Sequence, residues 1–217
     1  MYEDYSVPEL DEEYAAEIAA GYYDIHAEQA IEEFVSARLQ SFYVENPEVI
    51  GPPIDALSKA RRLSGTGDYA AALVFAVIGI EVGLKLGFIK AIVYGSVHNE
   101  TAAGIIADPA ASHSGFDRLR GLLFQIISEV GVDLSTYKRG ASSKILWEEV
   151  IDLQKQRNAI VHRAQDASAE QAELAIAVAS ALLEDVFPAL LTNIGLHLHD
   201  AVRICGGIYC APPALLS

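Results

Sequence analysis

From Tyr69 to Val97 the chain reads YAAALVFAVIGIEVGLKLGFIKAIVYGSV, an apolar run interrupted only by Glu81, Lys85 and Lys90. A helix that is apolar on every side must be surrounded, either by lipid or by other elements of its own fold. The three charges leave no uninterrupted apolar stretch of spanning length after Tyr69, so the run is expected to form the central helix or helices of a soluble bundle, with a membrane segment the lesser reading. Glu81 stands inside this run. It is spaced to pair with Lys85 one turn on, or to orient Arg157 or His162 from a facing helix.

The rest of the chain supplies helices to pack around that run. Asp11 to Phe42 carries YAAEIAAGYYDI and AEQAIEEFVSARLQSFYV, with apolar residues at helical spacing and Gly21 as a break. Asn46 to Pro53 reads as a loop, Ile54 to Arg62 as a short helix, and Asp68 as the N-cap of the long run. A further helix is expected from Phe116 to Glu129, with Leu119, Leu122, Leu123, Ile126, Ile127 and Val130 facing inward. Gly131 to Ser143 is a connection, and Leu146 to Ala164 is again helical. Ser168 and Gln171 have capping-box spacing for a last helix that should end or bend near Pro188. Sustained strand alternation is missing from the sequence. The expected class is all-α, an antiparallel bundle with extra acidic helices at the N-terminus. Residues 1–48 form an acidic helical arm packed on the core, 49–196 the bundle, and 197–217 a C-terminal tail.

The formal charge of -15 argues against a general nucleic-acid binder. Its distribution is uneven. Thirteen acidic residues and one arginine fall in residues 1–48, a net of -12, leaving -3 on the other 169 residues. Basic residues cluster there at Lys59, Arg61 and Arg62, at Arg118 and Arg120, at Lys138, Arg139 and Lys144, and at Lys155, Arg157 and Arg163. They allow a local RNA-binding surface, and they equally fit ordinary helix faces. Cys205 and Cys210 are too few for a disulfide framework, and the first residues lack the basic start and apolar run of an export signal. A cytoplasmic protein is expected.

The inward stripe of the helix from Leu146 runs through Val150, Leu153, Arg157, Ile160 or Val161, and Ala164, which puts a guanidinium where an apolar side chain belongs. Such a charge must be paired, or must face a cleft or subunit contact. His162 lies one turn after Asn158 and borders that face. Arginine can clamp a phosphate through paired donors, and an imidazole can move protons near neutral pH. Asn158 can hydrogen-bond the histidine or fix a phosphate or ribose. Together these can cleave RNA without metal through attack by its own 2'-hydroxyl. Arg157 and His162 point roughly 140° apart on a regular helix, so two copies related by two-fold symmetry would focus the site better than one.

RNAIVH (residues 157–162), late in an all-helical chain, resembles the Arg-x4-6-His signature of the HEPN superfamily, with Asn158 as the polar residue after the arginine. The apolar run with Glu81 resembles that family's glutamate-bearing helix, and the likeness spans about Asp68 to Leu191. The resemblance implies a four- to five-helix bundle, a homodimer, and a metal-independent endoribonuclease without cofactor, leaving a 2',3'-cyclic phosphate. The family's settings include toxin–antitoxin pairs, in which an antitoxin or other regulatory protein restrains the enzyme. Arg157 and His162 would be catalytic with Asn158, Glu81 supporting, and Lys155, Arg163, Lys144, Arg118 and Arg120 candidate RNA contacts. The alternative is a non-catalytic helical module that holds a partner protein or nucleotide.

Other signals are weaker. His197, His199, Cys205 and Cys210 invite a metal reading, but their order matches no strong motif, and a surface cap or mixed coil is expected. His26, His98 and His113 read as ordinary polar residues or caps. Tyr2, Tyr5, Tyr14, Tyr22 and Tyr23 read as hydrophobic anchors of the acidic arm. Walker, dinucleotide, HExxH and GxSxG motifs are missing.

Overall fold

Glycines set how closely the helices approach. Gly79, Gly83 and Gly87 recur every fourth residue of the long apolar helix and line one face of it. A methyl on Gly79 would lie 3.2 Å from the Pro53 carbonyl, on Gly83 2.5 Å from Leu183 Cδ2, and on Gly87 3.2 Å from the Phe187 ring. That stripe is a groove into which neighbouring helices settle.

The computed structural model describes residues 36–96 and 120–206, apart from positions 122, 126, 129, 141 and 201. The chain divides into two units, Met1–Val35 and Ser36–Ser217. The first lies outside the described residues, as do the expectations for the acidic arm's helices and tyrosines, His26, the 97–119 segment with His98 and His113, and Cys210. The second unit is a predominantly helical bundle.

Residues 36–45 form α1, which buries Leu39, Phe42 and Tyr43, so this end of the expected arm belongs to the bundle core. Helix α2, Gly51–Gly65, starts with proline in its first turn and buries Pro53, Ala56, Leu57 and Ala60 at helical spacing. It is longer at both ends than the short helix expected. Helix α3 runs from Tyr69 to Ser96, with Gly83–Ile89 in π geometry. Asp68 occupies its N-cap position without a side-chain cap bond and instead accepts from the Thr66 hydroxyl at 3.0 Å.

Helix α4, between residues 120 and 128, buries Leu123 and Ile127. Helix α5 is Leu146–Arg163, ended by Ala164 in the left-handed region at φ 50°. Helix α6 runs from Ala169 to Asn193, and its capping box forms between Ser168 and Gln171. It does not stop at Pro188. Ala181–Val186 are in π geometry, and the proline falls in the first turn of the α-helical segment after them, so its missing N–H coincides with the shift in the ladder.

Packing explains the apolar run. Helix α3 contacts α2, α5 and α6, so its apolar sides face protein. By length and composition, Tyr69–Tyr94 and Ala169–Asn193 both qualify as candidate spans, the second not singled out from sequence, and both are mostly buried inside the bundle. The π segments meet the core aromatics. Phe187 stacks edge-on with Phe88 at 5.4 Å and with Tyr43 at 5.7 Å, and the Tyr43 hydroxyl donates to the Gly87 carbonyl at 2.6 Å.

The expected tail is partly a hairpin. β1, His197–His199, pairs antiparallel with β2, Arg203–Cys205, in the register His197 with Cys205 and His199 with Arg203. Ile204 is buried on the opposite face and its N–H donates to the Pro47 carbonyl, which ties the hairpin to the bundle.

Candidate functional site

Helix α5 changes character along its length. Its first half buries Leu146, Trp147, Glu149, Val150 and Leu153, while Asn158 and the residues from Val161 to Arg163 are exposed. His162 and Arg163 occupy the last turn, where the helix dipole favours positive charge.

Arg157 remains on the inward face and finds its counter-charge there. Its Nη2 lies 3.4 Å from Glu81 Oε2 of α3, the two side chains being 18% and 8% exposed. Its Nη1 donates to Asn158 Oδ1 at 2.9 Å. Of the two expected readings of Glu81, the facing-helix contact with Arg157 is observed. A carboxylate this covered needs that cation, because an unpaired buried charge is strongly disfavoured.

His162 faces elsewhere. It lines an open concavity of about 360 Å³ with Lys155, Asn158, Ala159 and Arg163. These residues follow one helical stripe, offset by three, four and seven positions, with Arg163 at its edge. The fold therefore brings Lys155, Asn158, His162 and Arg163 together, and Glu81, Arg157 and Asn158 together. Asn158 is common to both sets. Arg157 does not line the concavity of His162.

The other candidate cations lie apart or are paired. Asp152 accepts from Lys155 at 3.1 Å and from Lys144 at 2.8 Å. Its hydrogen bonds with Lys144 and then Lys155 hold its carboxyl below the usual range. Lys144 lines a second concavity of about 340 Å³ with Arg139, Glu149, Asp152 and Gln156. Arg120 sits 5.9 Å from the Phe124 ring, and Arg118 lies outside the described residues.

A buried charged cluster was missed from sequence. Glu149 is buried and accepts from Arg139 Nε at 2.8 Å, Arg139 Nη2 at 2.7 Å and the Ser142 hydroxyl at 2.8 Å. The two-pronged Arg139 contact first, and then Ser142, hold the Glu149 carboxyl low against the opposing effect of burial. The available signal was the position of Glu149 between Leu146 and Leu153 on the buried stripe.

His197 and His199 share one face of β1, with ring centroids 5.9 Å apart, and Cys205 stands opposite His197. Among the described residues, no group of three His, Cys, Asp or Glu side chains is placed to hold a metal ion.

The chain matches no protein-family model, no curated protein and no solved structure.

Proposed function

We propose that this bundle is an HEPN-like, metal-independent endoribonuclease whose proton-transfer group is His162. The observation that carries the reading is the open concavity in which the exposed His162 stands beside Asn158, Lys155 and Arg163. An imidazole takes the proton of a ribose 2'-hydroxyl, the freed oxygen attacks the adjacent phosphorus, and the bond to the 5'-oxygen breaks. The departing oxygen receives a proton from an imidazolium, the protonated His162 of a second copy in a homodimer, which is left neutral as the first becomes protonated. The products are a 2',3'-cyclic phosphate and a 5'-hydroxyl. Cationic and amide donors around the phosphate stabilise the charge that develops on it.

The test is incubation of the purified chain with single-stranded RNA in excess chelator. Cleavage to cyclic-phosphate ends, abolished by His162→Ala with the helical signal intact, supports the reading. Intact RNA at high enzyme concentration refutes it. The pairing of Arg157 with Glu81 within one chain favours a second reading, a non-catalytic module in which the motif is structural and the concavity holds a partner protein or nucleotide. That reading expects a stable complex and no cleavage.

A further inference from the structure

Resting on the ribonuclease reading, we infer that the phosphodiester beside His162 is gripped by Lys155, Arg163 and the amide hydrogens of Asn158, and that Arg157 is a positioning residue acting through Asn158. Three observations converge on this division of labour.

Arg157 is committed elsewhere. It contacts Glu81 at 3.4 Å, and the Glu81 side chain is only 8% exposed. To hold a phosphate in the concavity of His162, the guanidinium would have to leave that carboxylate buried without it. Helical geometry opposes the move as well, since Arg157 lies on the stripe of Val150 and Leu153 rather than on that of Lys155 and His162.

Asn158 carries the effect of Arg157 outward. A guanidinium only donates, so the atom of Asn158 that receives Arg157 Nη1 at 2.9 Å must be the carbonyl oxygen. This fixes which end of the amide is which. The NH2 group is turned away from Arg157, and Asn158 lines the same concavity as His162 one turn later. Glu81, Arg157 and Asn158 thus form a chain of contacts that starts on α3 and ends in a neutral donor suited to an anionic oxygen.

Lys155 and Arg163 supply the charge. Both are exposed and both line the concavity. Lys155 pairs with Asp152 at 3.1 Å across an exposed surface, a contact weak enough for the ammonium to exchange onto a phosphate.

The experiment measures binding of a 2'-O-methyl RNA oligonucleotide, which cannot be cut, to the full chain across a salt series, and cleavage of ordinary RNA in parallel. Each phosphate contact on a single strand contributes about 0.7 to the slope of log affinity against log salt. Lys155→Gln and Arg163→Gln should each weaken binding several-fold and each flatten the slope by about that amount. Per folded molecule, as read from the helical signal, Arg157→Gln should keep the wild-type slope while slowing cleavage, and Arg157→Gln/Asn158→Ala should cut no more slowly than Asn158→Ala. A slope flattened by Arg157→Gln, or left unchanged by both Lys155→Gln and Arg163→Gln, overturns the inference. If the wild-type chain binds the analogue with these effects but cuts no RNA, the grip stands and the ribonuclease reading falls. If it cuts RNA while both cation variants bind as wild type, the grip falls and that reading stands.

Discussion

Arg157 and Glu81 meet across the contact of α5 with α3 at 3.4 Å, and the carboxylate is the more deeply covered of the two. The pair is thus part of the packing as well as of the motif. Removing either partner leaves the other charge in a place water reaches poorly.

Arg157→Ala is expected to destabilise the bundle by about 2–4 kcal/mol, and Glu81→Ala together with it by less than the sum of the two. Urea denaturation of both single variants and the double variant measures the coupling. Strict additivity would mean that the pair contributes nothing.

Gly83→Ala should cost about 1–3 kcal/mol, because the added methyl would come 2.5 Å from a terminal carbon of the fully buried Leu183. Gly51→Ala is the control, since nothing lies within 4 Å of the added carbon there. Thermal melts of the two should diverge, the control lying close to wild type.

Tyr43→Phe removes the hydroxyl that donates to the Gly87 carbonyl at 2.6 Å and leaves that carbonyl buried in the π segment. A loss of about 1–2 kcal/mol is expected in denaturant unfolding. Burial pushes the Tyr43 phenol well above its ordinary range. In an alkaline absorbance titration the Tyr43→Phe variant should therefore match wild type until the chain unfolds.

Glu149 gives the bundle a pH dependence of definite sign. Its carboxyl is held low in the folded state by Arg139, so its stabilising effect is complete above the ordinary glutamate value, about 4.3, and fades as pH falls through the lower folded value. Glu149→Gln should cost about 1.5–3 kcal/mol near neutrality, and the gap from wild type should close as the pH is lowered below about 4.3. Melting temperatures at stepped pH test this. A constant gap down to the acid transition would count against it.

Much of the framework was legible because helices advertise their faces. The bounds of α5 were expected at Leu146 and Ala164 and are found at Leu146 and Arg163, and the Ser168 capping box forms as its spacing indicates. The misplaced arginine was legible for the same reason, and so was its glutamate partner as one of two options. Periodicity says which way a side chain points but not what stands opposite. The Arg139 contact with Glu149 was therefore missed, and the separation of Arg157 from the concavity of His162 could be anticipated only as an angle. The π segments lie where Gly83 meets Leu183 and Gly87 meets Phe187, contacts between helices that no local pattern records. The hairpin at His197–Cys205 escaped because strands of three residues are too short to display alternation.

The change of character along α5 has an evolutionary consequence. Leu146, Val150 and Leu153 anchor the helix, whereas Lys155, Asn158, His162 and Arg163 decorate a surface that the core does not need. Descendants of this chain can lose or exchange the exposed stripe by single substitutions and still inherit an intact scaffold. Within such a lineage, versions with and without this stripe would differ at a few surface positions and share the same interior.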